Sequence, residues 1–461
     1  MKVFQPKILT AFKEYSKKQI LNDVIAGIIV AIIALPLSIA LAIASGVSPE
    51  KGLYTAIIAG FVISLFGGSK VNISGPTAAF ATIVAGIVFD FGTQGLVIAT
   101  ILAGLILILF GFLHVGALIR FIPRSITVGF TSGIAVTIVI GQIKDFLGLT
   151  FPEGTYAVET SEKISAVIAN IQTINWLALA VGIFALAILI IWPKISKKIP
   201  GSLIAVLAGT LLVLFTGLSV NTIGDLYTIT SALPKFEFPT LSGESIIQLL
   251  PSAFTIALLA GVESLLSCVV SDKMIDDKHN PNTELIALGI GNICSGLFGG
   301  IPATGAIART AANLRNGGRS PLSGIIHAIV LLLVLVLLMP YASLIPMPVI
   351  AAILFIVSYN MSEWREFLHL IKEKRPAEIC VLILTFVLTV VFDLVVAIIT
   401  GLALHYTVVA VKFIIEKIKT KKQSADIIEQ EEILNDLVAT EDVVFYKNEI
   451  AEDISGDNSD T

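Results

Sequence analysis

Two charges stand where charges are costly. Arg309 lies in GAIARTAANL with no other charged residue between Glu284 and Arg315, and Glu263 lies in AGVESLLS with none between Glu244 and Asp272. Within a bilayer such residues face a cavity or a partner and mark paths for ligands, ions or protons. A guanidinium keeps its charge and offers a fixed fork of donors, which suits an anion. A carboxylate can bind Na⁺ or take up a proton, and Ser267, four positions after Glu263, lies on the same helical face. The residues leave two alternatives open: Glu263 and Arg309 form a structural ion pair, or Arg309 snorkels to the surface.

The surroundings of Arg309 favour an anion site. LFGG occurs twice, at Leu65–Gly68 and Leu297–Gly300, and each copy leads through a short irregular stretch into a helix of small residues beginning at Pro76 or near Gly305. A helix start offers unpaired N–H groups and about half a positive charge, so two starts aimed at one cavity attract an anion. Asn72, Ile73 and Ser74 read as an extended lead-in, Gly75 admits a ligand close to the backbone, Pro76 suits the first helical position, and Thr77 adds a hydroxyl. Thr304, Gly305 and Ala306 keep the second start small and backbone-lined. The same glycines would also permit close helix packing.

Other chemistry is less visible. His327 and His405 fall in apolar runs without a partner motif, Asp393 reads as a turn residue and Asp90 as the outer end of a helix. Cys268, Cys294 and Cys380 lack metal-like spacing and read as core fillers. No phosphate loop, HExxH or CxxC is present, so neither an enzyme nor a cofactor is expected.

The elements that hold these residues belong to a membrane. Of 461 residues, 56% are hydrophobic and 14% charged, too apolar for a soluble globule. Runs of roughly 20 apolar residues recur between short charged loops, which excludes a β-barrel and reads as an all-α polytopic membrane protein. Helices are expected at about 24–45, 50–67, 76–91, 93–117, 122–147, 174–193, 199–218, 246–271, 282–299, 305–316, 320–339, 343–360, 376–392 and 394–416, fourteen in number. Met1 to Asp23 is polar and lysine-bearing, unlike a cleavable signal. Lysine and arginine cluster at the N-terminus, around Arg120, Arg124, Lys194, Lys197, Lys198, Arg315 and Arg319, and after the last run; the opposite loops lean acidic. Both termini are therefore expected in the cytoplasm. The two LFGG copies each close the second span of seven, and seven is odd. A 7+7 inverted repeat follows, with the short third and tenth helices facing each other near the midplane.

At this point the chain resembles the SulP family, the sulfate permeases and related anion transporters. The residues that carry the resemblance are DVIAGIIVAIIALPLSIALAIASGVSPEKGLYTA, GGSKVNISGPTAAF, GFTSGI, LLPSAFTIALLAGVESLL, NTELIALGIGN and ATGAIARTAANLRNGG. Within the family the chain looks closest to bacterial members assigned to C4-dicarboxylate uptake. The resemblance implies a uracil-permease-like core and gate: an N-terminal segment (1–22), core parts at 23–118 and 246–340, gate parts at 119–245 and 341–416, and an acidic cytoplasmic tail at 417–461. It also implies elevator-like alternating access and an anion held by Ser74, Gly75, Pro76 and Thr77 with Gly305, Ala306, Ile307, Ala308 and Arg309, lined by the first helix from Pro36 through Ser38 to Ala40. Glu263 falls where sodium-coupled bicarbonate carriers have an acidic residue, with Ser267 as its hydroxyl neighbour, which implies Na⁺ at Glu263. Pro36-Leu37-Ser38 replaces the PQS of plant and animal sulfate carriers, and the tail after Lys422 is too short for the usual cytoplasmic anti-sigma-antagonist domain.

The expectation is thus a secondary active anion transporter in a bacterial inner membrane, coupled to Na⁺ or H⁺. Sulfate is the family default, with bicarbonate or a C4-dicarboxylate as alternatives. Its partners would be a small anion, the bilayer and a second copy of the chain, with no nucleic acid. An anion channel is the alternative of another class, and a nucleobase permease is disfavoured by Arg309.

Overall fold

Ser, Pro and Gly punctuate the apolar runs at the places where helices need starts and stops. A computed structural model describes residues 4–11, 16–116, 123–152, 157, 159–196, 199–239, 243–373, 375–392 and 396–420, with 428, 430, 432, 435 and 436. Arg120, Lys197, Lys198, Asp393 and most of the acidic tail lie outside the described residues.

A turn of helix, α1 (Ile8–Ala11), precedes α2 (Lys17–Ala44), which starts where the Ser16 side chain accepts the Gln19 N–H. Pro49 opens α3 (Pro49–Phe66), and β1 (Ser74–Gly75) and a 3-10 turn (Ala78–Phe80) lead into α4 (Ala81–Phe112). Gly92, at φ 66°, breaks α4 in two, a conformation that an L side chain resists. After α5 (Arg124–Leu147) come the short α6 (Thr160–Ala169), α7 (Trp176–Ile195), α8 (Gly201–Thr216) and a single turn, α9 (Ile223–Leu226). The second half holds α10 (Gly243–Ile275), α11 (Pro281–Leu297), β2 (Thr304–Gly305), α12 (Ile307–Arg315) and α13 (Pro321–Leu338). It continues through α14 (Met347–Met361), α15 (Trp364–Lys372), α16 (Pro376–Val391) and a last apolar helix, Val396–Thr420.

Nine helices among the described residues are long and apolar enough to cross a membrane. Each of the fourteen expected segments contains a helix once α4 is divided at Gly92. Residues Met1–Leu402 form one compact unit and Ala403–Thr461 a second. Within the first, α4 packs along α10 and α11, α13 packs on α2 and α3, and α12 touches α10 and α2. A different set of contacts joins α5 to α14 and α16, α14 to α7, and α7 to α8. Gly104 of α4 and Gly289 of α11 bring two backbones together: a Cβ on either would come within 2.6 Å or less of the other's carbonyl oxygen.

On the side where α3 ends, residues before α1 lie across the helix ends. The Lys7 N–H donates to the Gly67 carbonyl at 2.9 Å, and the Gln5 N–H to the Thr283 hydroxyl at 3.0 Å. Asp277 receives Lys7 at 3.4 Å and Lys70 at 3.0 Å. Burial alone would raise the Asp277 carboxyl, but hydrogen bonding to Lys70 and the nearby lysine charges hold it below the usual carboxylate range.

Two expectations are corrected here. Pro76 is not the first helical residue: Thr77 remains extended at φ −129° and helix begins at Ala78, because the preceding residues are held in a strand pair. Cys380 is exposed rather than a core filler, since the outward face of a spanning helix meets lipid; Cys268 is buried.

Candidate functional site

The two irregular stretches meet. β1 and β2 pair antiparallel with Ser74 opposite Gly305 and Gly75 opposite Thr304, and the Ala306 N–H extends the pairing to the Ile73 carbonyl at 2.9 Å. Ser74–Gly75 and Thr304–Gly305 hold equivalent places in the two halves, so exchanging the halves carries one residue pair onto the other. That register is the one the expected inverted repeat would give, with its pseudo-two-fold axis passing between the strands. Extended backbone at membrane depth is tolerated because this pairing satisfies it inside protein.

From the pair, the chain runs into two helix starts. On one side Ala306 caps α12 without a side-chain bond, and Ile307, Ala308 and Arg309 form its first turn, whose N–H groups have no intrahelical acceptor. Ile307 is 42% exposed, whereas Arg309 is 1% exposed. On the other side Thr77 precedes the turn Ala78–Phe80 that leads into α4.

The Arg309 guanidinium crosses between the halves. Its Nη2 donates to the Pro76 carbonyl at 3.1 Å and lies 3.4 Å from the Ser38 hydroxyl, while buried Nε and Nη1 have no protein partner. Gly75 makes room for it, since a Cβ there would stand 2.2 Å from Nη1. Pro36 and Ser38 are buried on α2, and Ser38 is the residue of that helix that the Arg309 guanidinium approaches.

Glu263 does not pair with Arg309; among the described residues no ion pair joins them. The half-buried Glu263 accepts instead from the Thr77 hydroxyl at 3.0 Å, linking α10 to the first helix start. Ser267 is buried and turned away from that carboxylate: its hydroxyl donates to Asn72 Oδ1 at 2.7 Å and lies 3.2 Å from Thr310 Oγ1. The structure thus unites the expected anion residues around β1 and β2 and separates the expected cation pair, Glu263 and Ser267, into different contacts.

Two residues here, Glu284 and Thr310, carry no signal in a one-dimensional pattern. Glu284 is 1% exposed and accepts from the Gly68 and Ser69 N–H groups at 2.8 and 3.2 Å and from the Asn72 amide at 2.7 Å. Thr310 receives the Ile73 N–H at 3.0 Å. His327, fully buried with both ring nitrogens unpartnered, approaches Gly60, where a Cβ would lie 3.8 Å from its ring. Among the described residues no group of three or more metal-ligating side chains forms. A cavity lined by Lys144, Asp145, Asn175 and Asn221 at the far end of α5 involves none of the residues above.

Residues 20–385 match the model of the sulfate permease family. The chain belongs to this family. It is 46% identical over 401 residues to the "Putative sulfate transporter YvdB" of Bacillus subtilis, covering 86% of this chain and 74% of that one. It is 34% identical over 397 residues to the bicarbonate transporter BicA of a Picosynechococcus species, covering 83% and 69%. The transmembrane domain of a cyanobacterial BicA superposes with a TM-score of 0.75 at 31% identity, covering 84% of this chain and 99% of that domain. Murine Slc26a9 in its inward-facing state gives 0.80 at 19% identity over 88% and 71%, a likeness of fold. The fold is accordingly the all-α polytopic one shared with these membrane domains, and the relatives are named as transporters, not enzymes.

Proposed function

We propose that this member of the sulfate permease family is a secondary active transporter of a small anion, sulfate or one like it, with bicarbonate or a C4-dicarboxylate as alternative substrates of the same fold. The observation that carries the reading is Arg309. Its buried guanidinium has a hydroxyl and a carbonyl as neighbours and no carboxylate among the described residues, so its charge is left for a ligand to balance. The ligand would sit between the two helix starts, where backbone N–H groups add donors. The names of the relatives, sulfate and bicarbonate transporters, support the class.

Coupling to Na⁺ or H⁺ is assigned to Glu263, which touches the anion site through Thr77. Elevator-like motion would take α2, α3, α4 and α10 to α13 as the moving core against a gate of α5, α7, α8, α14 and α16; the two sets of contacts described above support that division. A bacterial inner membrane, cytoplasmic termini and a homodimer complete the proposal.

The test is uptake of radiolabelled sulfate, succinate and bicarbonate into proteoliposomes under a Na⁺ gradient, a proton gradient or neither. Wild type should accumulate one anion under one gradient. Arg309→Ala removes charge-assisted bonds and should lower uptake at subsaturating anion by about 100-fold with the folded protein retained. Wild-type uptake in that variant would sink the reading. Equal, gradient-independent flux of all three anions would instead indicate a channel.

A further inference from the structure

Glu284 is a buried charge that the proposed transport cycle does not use, and it has more hydrogen-bond donors around it than any residue of the anion site. Its Oε2 takes the N–H groups of Gly68 and Ser69, the first residues of the lead-in to β1. Its Oε1 takes the Asn72 amide at 2.7 Å and the Ser264 hydroxyl at 3.1 Å. One carboxylate from α11 thus grips the lead-in at its start and again near its end.

The bonds beyond Asn72 have a direction. The Ile73 N–H can only donate, and it uses Thr310 Oγ1 as its acceptor at 3.0 Å. The Thr310 hydroxyl proton is then free to go to Asn72 Oδ1 at 2.9 Å, where the Ser267 hydroxyl also donates at 2.7 Å. Those two hydroxyls could also accept, so it is Glu284 that sets the amide: as a carboxylate it only accepts, which turns the Asn72 amide nitrogen toward it and the amide oxygen toward α10 and α12. Reversing the amide would set its N–H₂ against two hydroxyls and its oxygen against the carboxylate.

We infer that Glu284 is a positioning residue: through Asn72 it fixes Thr310, and so the first turn of α12 with Arg309, against the lead-in that ends at Pro76 and Thr77. The Arg309 contact to the Pro76 carbonyl spans those two pieces and holds only while they are locked together. The functional part of this inference rests on the anion-transport reading above.

The experiment exchanges the two groups. Glu284→Gln places an amide nitrogen against the Asn72 amide nitrogen, and Asn72→Asp places two carboxylates in contact. The double variant E284Q/N72D restores one amide and one carboxylate with the net charge of wild type. The new carboxylate can still accept from Ser267 and Thr310, and the new amide oxygen can still accept from Gly68 and Ser69. Each single variant should raise the anion KM of uptake about 10-fold or more, and the double should return to within about 3-fold of wild type.

A role in folding alone would lower the yield and Tm of the single variants and leave the KM of the folded fraction unchanged, which would overturn the inference. So would a double variant no better than the worse single, as expected if a carboxylate at 284 itself binds the coupling ion or proton. Should a single variant not fold, the double decides alone: folded with near-wild-type KM supports the inference, and raised KM or failure to fold overturns it. Were wild type to move none of the three anions, the transport reading would fall by itself. The Glu284–Asn72 arrangement would then be judged by Tm, of which the double must recover at least half the loss seen in the singles.

Discussion

Arg309 and Glu263, both from the second half of the chain, reach the helix start of the first half without touching each other. Arg309 reaches Pro76, and Glu263 reaches Thr77, the next residue. A charge pair would have cancelled both groups; separation leaves each available to its own ion. If Glu263 carries the coupling ion, Glu263→Gln keeps an oxygen for the Thr77 hydroxyl and removes the charge. An inward tenfold gradient of a coupled monovalent cation supports about tenfold accumulation at one-to-one stoichiometry, or about 1.4 kcal/mol. The variant should bind the anion and equilibrate it with an accumulation ratio near one, measured as steady-state uptake with and without the gradient. Accumulation equal to wild type would reduce Glu263 to a structural acceptor. Both charges were legible in the sequence because each interrupts a long apolar run. Glu284 was not, although it is buried more deeply than Glu263: it is the last residue of the charged stretch DKMIDDKHNPNTE, and its partners come from residues more than 200 positions away or from the neighbouring helix.

At the scale of elements, the LFGG copies are places where the chain must pass close to α11 or α3. A Cβ on Gly68 would stand 2.1 Å from the Asn280 carbonyl oxygen, and one on Gly300 would stand 2.4 Å from the Ser295 hydroxyl and 2.8 Å from that of Thr55. Helix α11 holds both lead-ins. Near its start Glu284 takes the first, and two turns on Asn292 brackets the second, accepting the Ala303 N–H at 2.8 Å and donating to the Ala303 carbonyl at 2.9 Å. Removing that side chain strands a buried donor and acceptor at membrane depth, where no solvent replaces them. Asn292→Ala should therefore destabilise the protein by about 2–4 kcal/mol, seen as a lower Tm in detergent, with the larger share at β2. A Tm within a degree of wild type would mean that the second lead-in is held by β-pairing alone. Helix number and approximate limits followed from apolar length, Pro and Gly. The start of the third helix was missed because Pro76 favours a helix start only in the absence of a competing extended partner, and that partner, Thr304–Gly305, lies in the other half of the chain.

For the molecule as a whole, the odd number of spans per half requires the two lead-ins to enter from opposite faces, and the docked N-terminal residues give one face an independent marker. Lys7 contacts Gly67 at the end of α3 and Asp277 before α11, so the N-terminal residues, the end of α3 and the loop bearing Lys278 share a side. The exposed α6 follows α5, which crosses away from the side where α4 ends, so Ser161 belongs to the opposite face. With Cys268, Cys294 and Cys380 replaced by serine, Lys278→Cys and Ser161→Cys should react with a membrane-impermeant maleimide from opposite sides. In right-side-out vesicles Ser161→Cys should label before permeabilisation, and Lys278→Cys at least about tenfold faster after it, since the lysine-rich loops favour the cytoplasm. Labelling of both from one face would break the seven-plus-seven count, and with it the pseudo-two-fold axis between β1 and β2. Reversed labelling would keep the repeat and turn the whole transporter over, leaving the strand pair and Arg309 at the midplane but exchanging the face from which each ion enters.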